Sequence, residues 1–274
     1  MPELPEVETL RRALAPRVQN RRVAEAGSHW SDKFTPATDS IDTTILGAGR
    51  RGKFLLLPLD DDREMIIHLG MTGKISFTAD DPEPDDPYLR AWWRLTDAFG
   101  NLPPETMLFH DVRRFGRIRV VPAGDYRTLP TLHSAGPEPW DELLTAKLFH
   151  QLIQKSKRAI KTQLLSQRPI AGVGNIYADE ALWAAKINPR TTRLGLGRAE
   201  LLLEEIRNAL EKGIENGGTT LRDYRNVEGG TGENQHSLMA YGRAGKPCIR
   251  CGGPLICDII DARTTTWCAV CQKR

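Results

Sequence analysis

Four cysteines constrain this chain more than any other feature. Cys248 and Cys251 are separated by two residues, as are Cys268 and Cys271, and sixteen residues lie between the pairs. Four thiolates at that spacing match a closed, tetrahedral structural zinc site. With no open coordination position, the ion would build the fold and take no part in chemistry. The competing reading is a redox dithiol, but nothing thioredoxin-like surrounds either pair. The chain has five cysteines, an odd number, which fits metal binding in a reducing compartment better than a disulfide framework. Cys257, the fifth, reads as a small buried hydrophobe. Between the pairs, Arg263 falls on an expected hairpin beside Thr264, Thr265 and Thr266. It is either a solvated surface arginine or one that a metal-stiffened finger aims at a phosphate.

The opposite end carries a second chemical signal, Met1-Pro2-Glu3-Leu4-Pro5-Glu6. If Met1 is removed, Pro2 becomes a secondary amine whose α-amino group titrates around ~8. Such an amine attacks an aldehyde-like carbon and gives an iminium, with Glu3 within reach as general acid. The alternative is a helix start, since proline suits the first helical turn and glutamate its positive end.

With 274 residues the chain has room for two or three units. Its net charge is only +3, a weak argument for an anionic partner, and the distribution is more informative. Lys155-Ser156-Lys157-Arg158-Ala159-Ile160-Lys161 is a basic cluster, and residues 241–274 hold six Lys or Arg against two Asp. Asp80-Asp81-Pro82-Glu83-Pro84-Asp85-Asp86 is an acidic loop expected to face water. No run approaches the roughly 18 apolar residues of a membrane span. No secretion signal opens the chain, so a cytoplasmic protein is expected.

A leading helix over Val7 to Val18 is followed, to about residue 122, by short β-favouring runs: Phe54–Leu57, Met65–Leu69, Ala91–Leu95 and Arg117–Val121. A two-sheet sandwich is the expected solution. The stretch Ser134–Pro139 reads as a linker. From about residue 141 the period becomes helical, with Leu144, Leu148, Leu152 and Ile153 on one face and a short helix at Ile160, Leu164 and Leu165. Gly172-Val173-Gly174-Asn175 is a tight turn before a further helix, and a long one from Arg198 to about Glu215 stops at Gly217-Gly218. Helix, glycine turn, helix is both a DNA-backbone-binding arrangement and a common packing unit. Residues 225 to 237 are polar and glycine-rich.

Six segments in register then carry a resemblance. They are Met1–Thr9, His68-Leu69-Gly70-Met71-Thr72-Gly73, Arg113-Arg114-Phe115-Gly116, Gly172–Ala178, Gly217-Gly218-Thr219-Thr220-Leu221 and Tyr241-Gly242-Arg243. With the cysteine spacing, they are similar to bacterial formamidopyrimidine-DNA glycosylase, within the wider formamidopyrimidine-DNA glycosylase and endonuclease VIII family. The resemblance implies an α+β multidomain fold: an N-terminal β-sandwich with a leading helix (1–125), a linker (126–140), a helical helix-two-turn-helix DNA-binding domain (141–224), a lesion-covering loop (225–240) and a C-terminal zinc finger (241–274). It implies a monomeric bifunctional glycosylase and lyase that removes 8-oxoguanine and formamidopyrimidines from double-stranded DNA and cuts the strand by β,δ-elimination, with one structural zinc ion. Abasic sites would also be substrates, and the DNA would lie in the cleft between the two main domains.

By the same resemblance Pro2 is the nucleophile, Glu3 the proton donor and Glu6 the second carboxylate of the site. Lys53 resembles the lysine of β-elimination and phosphate grip, and Arg263 the finger arginine of δ-elimination. Met71, Arg113 and Phe115 resemble the triad that fills the gap left by an extruded base, which restores lost stacking. Asn175 and Tyr241 resemble phosphate ligands, and Lys157 and His68 are counted with the DNA contacts. The basic cluster 155–161 becomes a phosphate-contacting edge.

The chain departs from the family pattern at three places. Asn234 stands where a loop that closes over the extruded base commonly has Phe, Asp86-Pro87-Tyr88 replaces a histidine-rich segment, and Arg222 replaces a lysine. Two other readings remain open: an endonuclease VIII-like enzyme for oxidised pyrimidines, disfavoured by Leu4 and by the Arg113–Gly116 run, and a non-catalytic zinc-dependent protein that binds damaged DNA. Intact Pro2 and Glu3 favour an enzyme.

Overall fold

A computed structural model describes residues 1–83, 85–97, 102–221 and 229–273. Arg222 and residues 225–228 of the expected covering loop lie outside them. The chain forms two compact units, residues 1–133 with 217–233 and residues 134–216 with 234–274.

The first unit begins with α1 (Leu4–Val18), three residues earlier than its apolar period alone indicates. The cause is a capping box in which the Glu3 side chain accepts the Glu6 amide and Glu6 returns a bond to the Glu3 amide. Leu4, Val7, Leu10, Leu14 and Val18 share its buried stripe. Two antiparallel sheets follow. One, ordered β2-β1-β7-β8-β6, uses β1 (Arg21–Ser28), β2 (Thr44–Ile45), β6 (Gly73–Thr78), β7 (Leu89–Asp97) and β8 (Glu105–Asp111). The other, ordered β3-β4-β5-β9, uses β3 (Gly49–Arg51), β4 (Phe54–Pro58), β5 (Arg63–His68) and β9 (Arg117–Pro122).

Leu55, Leu57, Met65, Ile67, Trp93, Leu95, Met107, Phe109 and Ile118 form one core with Val7, Leu10, Leu14 and Val18 of α1. Each such side chain contributes about 1.5–3 kcal/mol on burial. This is the expected sandwich with its leading helix. The sequence pattern did not single out β1, β6 and β8, whose charged and polar residues alternate with the inward ones. A short α2 (Pro130–His133) places Leu132, with Leu129, against Phe54, Ile66 and Val121.

The second unit contains α3 (Ala146–Gln154), α4 (Ile160–Leu165), α5 (Asn175–Ala184), α6 (Leu196–Glu215) and a hairpin of β10 (Ile256–Ile260) and β11 (Arg263–Trp267). Thr145 caps α3 by accepting the Leu148 amide, and its buried face is Phe149 and Ile153. Between α4 and α5, buried Gln167 braces the turn: its Oε1 accepts the Gly172 amide at 2.7 Å and its Nε2 donates to the Val173 carbonyl at 2.5 Å. Gly172 takes φ +87°, which requires glycine. The proline-rich stretch is held against that turn, because the Gly136 amide donates to Gln167 O and the Ala171 amide to Pro137 O.

The hairpin turns at Asp261 (φ 50°) and Ala262 (φ 60°), the two positive angles of the tight turn that suits strand twist. Cys257 lies on it and is exposed, which corrects the expected buried hydrophobe. The inner strand of the ribbon is β11, which packs against α5 and buries Thr265 and Thr266, whereas Cys257 and Ile259 lie on the outer strand β10.

Candidate active site and metal centre

Pro2, Glu3 and Glu6 are all buried at the start of α1. Glu6 is the hub: its Oε2 accepts the Glu3 amide at 2.8 Å and its Oε1 accepts the Thr219 amide at 2.6 Å. Gly217 (φ +67°) and Gly218 (φ +88°) turn the chain into that contact. Close by in the chain, Gly232 lies so near the Gly218 carbonyl that a Cβ would sit 2.1 Å from it. A buried carboxylate thus closes the helix start and holds the Gly-Gly-Thr-Thr segment.

Lys53 sits in the turn between β3 and β4, after Gly52 (φ +55°), and is only 7% exposed. Lys53 is therefore no solvated surface lysine. The turn is tied to α1 through Arg50, which donates to Glu8 at 3.2 Å and to the Gly52 carbonyl at 3.1 Å. Glu8 also receives Arg11 and Arg12. Burial opposes its charge, but these arginines hold its carboxyl at about 2. His68, opposite Phe54 in the β4–β5 register, stacks on that ring at 4.6 Å. Burial, and then the charges of Lys53 and Arg117, lower it to about 4. His68 is therefore a neutral imidazole at pH 7, with Nδ1 accepting the Gly70 amide at 3.2 Å. It can donate a hydrogen bond through Nε2 and cannot supply positive charge.

Met71 lies in the turn between β5 and β6, and Arg113 and Phe115 in the turn between β8 and β9. Phe115 is 50% exposed, and the Arg113 guanidinium lies 4.8 Å from its ring centroid. Phe115 is thus no part of the sandwich core.

In the second unit Asn175 opens α5, and its Nδ2 donates to the Thr264 carbonyl at 3.0 Å. The basic cluster does not stay together. Lys157 is exposed, but Lys161 is fully buried in an ion pair with Asp179 at 2.6 Å. Lys161 also donates to the Thr264 carbonyl and the Thr265 hydroxyl, and Asp179 accepts the Thr266 amide at 2.9 Å. Arg158 pairs with Asp261 at the hairpin tip. The expected phosphate edge is corrected accordingly: Lys161 spends its charge inside, gripping the strand that begins at Arg263. Arg263 itself is exposed.

Tyr241 is placed by a residue that the sequence did not reveal. Glu180 of α5 accepts the amides of Met239, Ala240 and Tyr241, each at 2.8 Å. Burial pushes its carboxyl upward against those bonds. Asp111 was likewise unforeseen. Neither stands out in the sequence, where Glu180 follows Asp179 and Asp111 follows His110. Asn234 is buried, accepting from Asn216 Nδ2 at 3.1 Å and donating to the Tyr177 hydroxyl at 3.4 Å. It packs within the helical unit.

The Sγ atoms of Cys248, Cys251, Cys268 and Cys271 all lie within 4.8 Å of one another, and those of Cys251 and Cys268 are 3.5 Å apart. A tetrahedral zinc-thiolate centre has edges of about 3.8 Å for its ~2.3 Å bonds. Desolvation, and then the neighbouring sulfurs, push the Cys271 thiol up, whereas hydrogen bonds bring Cys248 down against its burial. The cluster can hold a metal ion. Arg250, between the first two cysteines, lies 3.7 Å over the Trp183 ring and donates to the Trp183 and Ala184 carbonyls at the end of α5. Among the described residues no helix is long and apolar enough to cross a membrane.

Comparison with known proteins covers the whole chain. Residues 1–118 match the formamidopyrimidine-DNA glycosylase N-terminal domain, and residues 135–225 match the formamidopyrimidine-DNA glycosylase H2TH domain. The formamidopyrimidine-DNA glycosylase of Deinococcus radiodurans is 38% identical over 99% of this chain and 97% of its own. That of Thermus thermophilus is 40% identical over 99% and 98%. The crystal structure of the Thermus thermophilus MutM (Fpg) protein aligns with a TM-score of 0.88 over 99% of this chain and 98% of that one, at 40% identity. The Lactococcus lactis Fpg, solved with abasic-site DNA, aligns at 0.87 over 99% and 100%, at 34% identity. The chain belongs to the formamidopyrimidine-DNA glycosylase family.

Proposed function

We propose that the protein is a base-excision-repair enzyme that removes oxidised purines from double-stranded DNA and then cuts the strand as an abasic-site lyase. The observation that carries this reading is the N-terminal arrangement: Pro2 and Glu3 buried at the positive end of α1, with Glu6 bridging Glu3 to Thr219. Family membership and the DNA-bound relatives support it. Once Met1 is removed, the Pro2 nitrogen attacks C1′ and the base leaves with a proton; the C1′–O4′ bond then opens, O4′ takes a proton from Glu3, and the nitrogen lone pair closes the iminium. Glu3, held by the Glu6 amide, is the proton donor. Loss of the C2′ proton then expels the 3′ phosphate, and a second elimination expels the 5′ phosphate. Lys53 serves the first elimination and Arg263 the second.

Met71, Arg113 and Phe115 fill the gap left by the flipped nucleotide, at an unstacking cost of a few kcal/mol. Asn175, Tyr241 and Lys157 hold phosphates, with the start of α5 supplying a positive helix end. His68, neutral, contributes a hydrogen bond. One zinc ion held by Cys248, Cys251, Cys268 and Cys271 keeps the hairpin folded.

The test is borohydride trapping on a duplex with 8-oxoguanine opposite cytosine. A covalent protein–DNA adduct that disappears in Pro2→Gly, or when Met1 is retained, is the expected result. No adduct from the processed protein on any of several oxidised lesions would refute the mechanism. Metal analysis should return one zinc per chain.

A further inference from the structure

Asp111 ends β8, and its side chain is wholly buried. Its two oxygens go to two different turns. Oδ1 accepts the Thr72 hydroxyl at 2.5 Å, and Oδ2 accepts the Gly116 amide at 2.6 Å. Thr72 follows Met71 and Gly116 follows Phe115. The Thr72 oxygen in turn accepts the Arg113 amide at 3.0 Å. The turns also meet at the backbone: Gly70 (φ +62°) lies where a Cβ would stand 2.4 Å from the Gly116 nitrogen. Further bonds fix the base, from Arg90 Nε to the Asp111 carbonyl at 2.8 Å and from Lys33 Nζ to the Arg114 carbonyl at 2.8 Å. Arg114 takes φ 56° at the tip. On this base stand exposed Arg113, Phe115 and Val112.

A carboxylate is expensive to bury and persists only with full hydrogen bonding. An ordinary surface turn does not call for one. Side chains driven between stacked bases do need a stiff base, because freedom left in either turn is lost on insertion and weakens binding.

We infer that Asp111, acting through Thr72 and Gly116, is a positioning residue that locks the Met71 turn and the Arg113–Phe115 turn into one wedge and so sets discrimination of the base opposite the lesion. This rests on the reading that Met71, Arg113 and Phe115 occupy the vacated stack, with Arg113 facing the orphaned base. Asp111 takes no part in the chemistry at Pro2.

The experiment compares kcat/KM on duplexes with 8-oxoguanine opposite each of the four bases, for wild type, Asp111→Asn, Thr72→Val, Thr72→Ser and Arg113→Ala. Borohydride trapping on single-stranded abasic DNA, which has no opposite base, accompanies each. The ratio between opposite bases cancels any loss of folded protein, so a merely structural role leaves it unmoved. Asp111→Asn and Thr72→Val should each compress the ratio about five- to tenfold, the scale of one lost buried hydrogen bond. Thr72→Ser should restore it, and single-strand trapping should stay near wild type. If Arg113→Ala compresses the ratio but Asp111→Asn and Thr72→Val do not, the inference falls while the reading of the triad stands. If Arg113→Ala leaves the ratio intact, that reading fails and takes the inference with it. Should Asp111→Asn not fold, Thr72→Val decides alone. A parallel drop in single-strand trapping with an unchanged ratio would reduce Asp111 to a structural residue and overturn the proposal.

Discussion

Glu6 and Thr219 stand 213 positions apart, and the carboxylate of the first accepts the backbone N–H of the second at 2.6 Å. The other Glu6 oxygen serves Glu3, so one side chain joins the start of α1 to the Gly217–Leu221 segment. Glu6→Ala leaves two buried amides without this acceptor, at about 1–3 kcal/mol each. Its melting temperature should fall by several degrees and its borohydride adduct should be lost. Glu6→Gln, which keeps one acceptor oxygen, should lose less of both. Equal effects in the two variants would show that the carboxylate's second bond is idle.

Glu8 predicts a pH dependence. Its carboxyl titrates at about 2, below the ordinary 4.5, because Arg11, Arg12 and Arg50 outweigh the burial that opposes its charge. The folded state therefore binds this proton less readily than the unfolded chain. The stabilisation is fully present above about pH 5 and is lost as pH falls toward 2. Glu8→Gln should be less stable by about 1–3 kcal/mol at pH 7, and the gap from wild type should close on acidification. Melting curves from pH 7 to 2.5 measure it; a gap constant with pH would contradict the assignment.

The Lys161–Asp179 pair should behave as a buried ion pair. Lys161→Met strands a charge and should cost about 3–5 kcal/mol. Lys161→Met with Asp179→Leu should recover much of that loss in urea denaturation. Strict additivity of the two substitutions would mean that the pair is not coupled.

Removing the metal should unfold the hairpin before the sandwich. The Thr266 amide, bonded to Asp179, should lose exchange protection after chelation, while the Leu55 and Ile67 amides in the sandwich core should keep theirs. DNA affinity should fall in step. Hydrogen exchange followed by mass spectrometry resolves the two regions, and uniform loss of protection would exclude a local role for the ion.

Much of the fold was legible in the chain. The β-favouring runs of β4, β5, β7 and β9, the helical stripe of α1, the glycine turn before α5 and the cysteine spacing are local codes. Each is written within a few to about twenty residues and obeys the period of one element or the reach of one ion. At Pro2, Glu3 and Glu6 the residue types offered both a helix start and a nucleophile with its acids, and the helix start is what the fold displays.

What only the tertiary structure decided is where polar side chains find their partners. Lys161 reads as one more positive charge in a cluster, yet it lies fully buried on Asp179. Cys257 reads as interior but is exposed, because it lies on the outer strand of a ribbon whose other strand, β11, packs against α5. Asn234 belongs to the helical interior through Asn216 and Tyr177. Asp111, silent in the sequence, bridges two turns 44 positions apart, at Thr72 and Gly116. A hydrophobic period is set by the geometry of its own element. The partner of a buried charge or amide is set by which groups lose water together, and chain-distant segments meet only when the core forms.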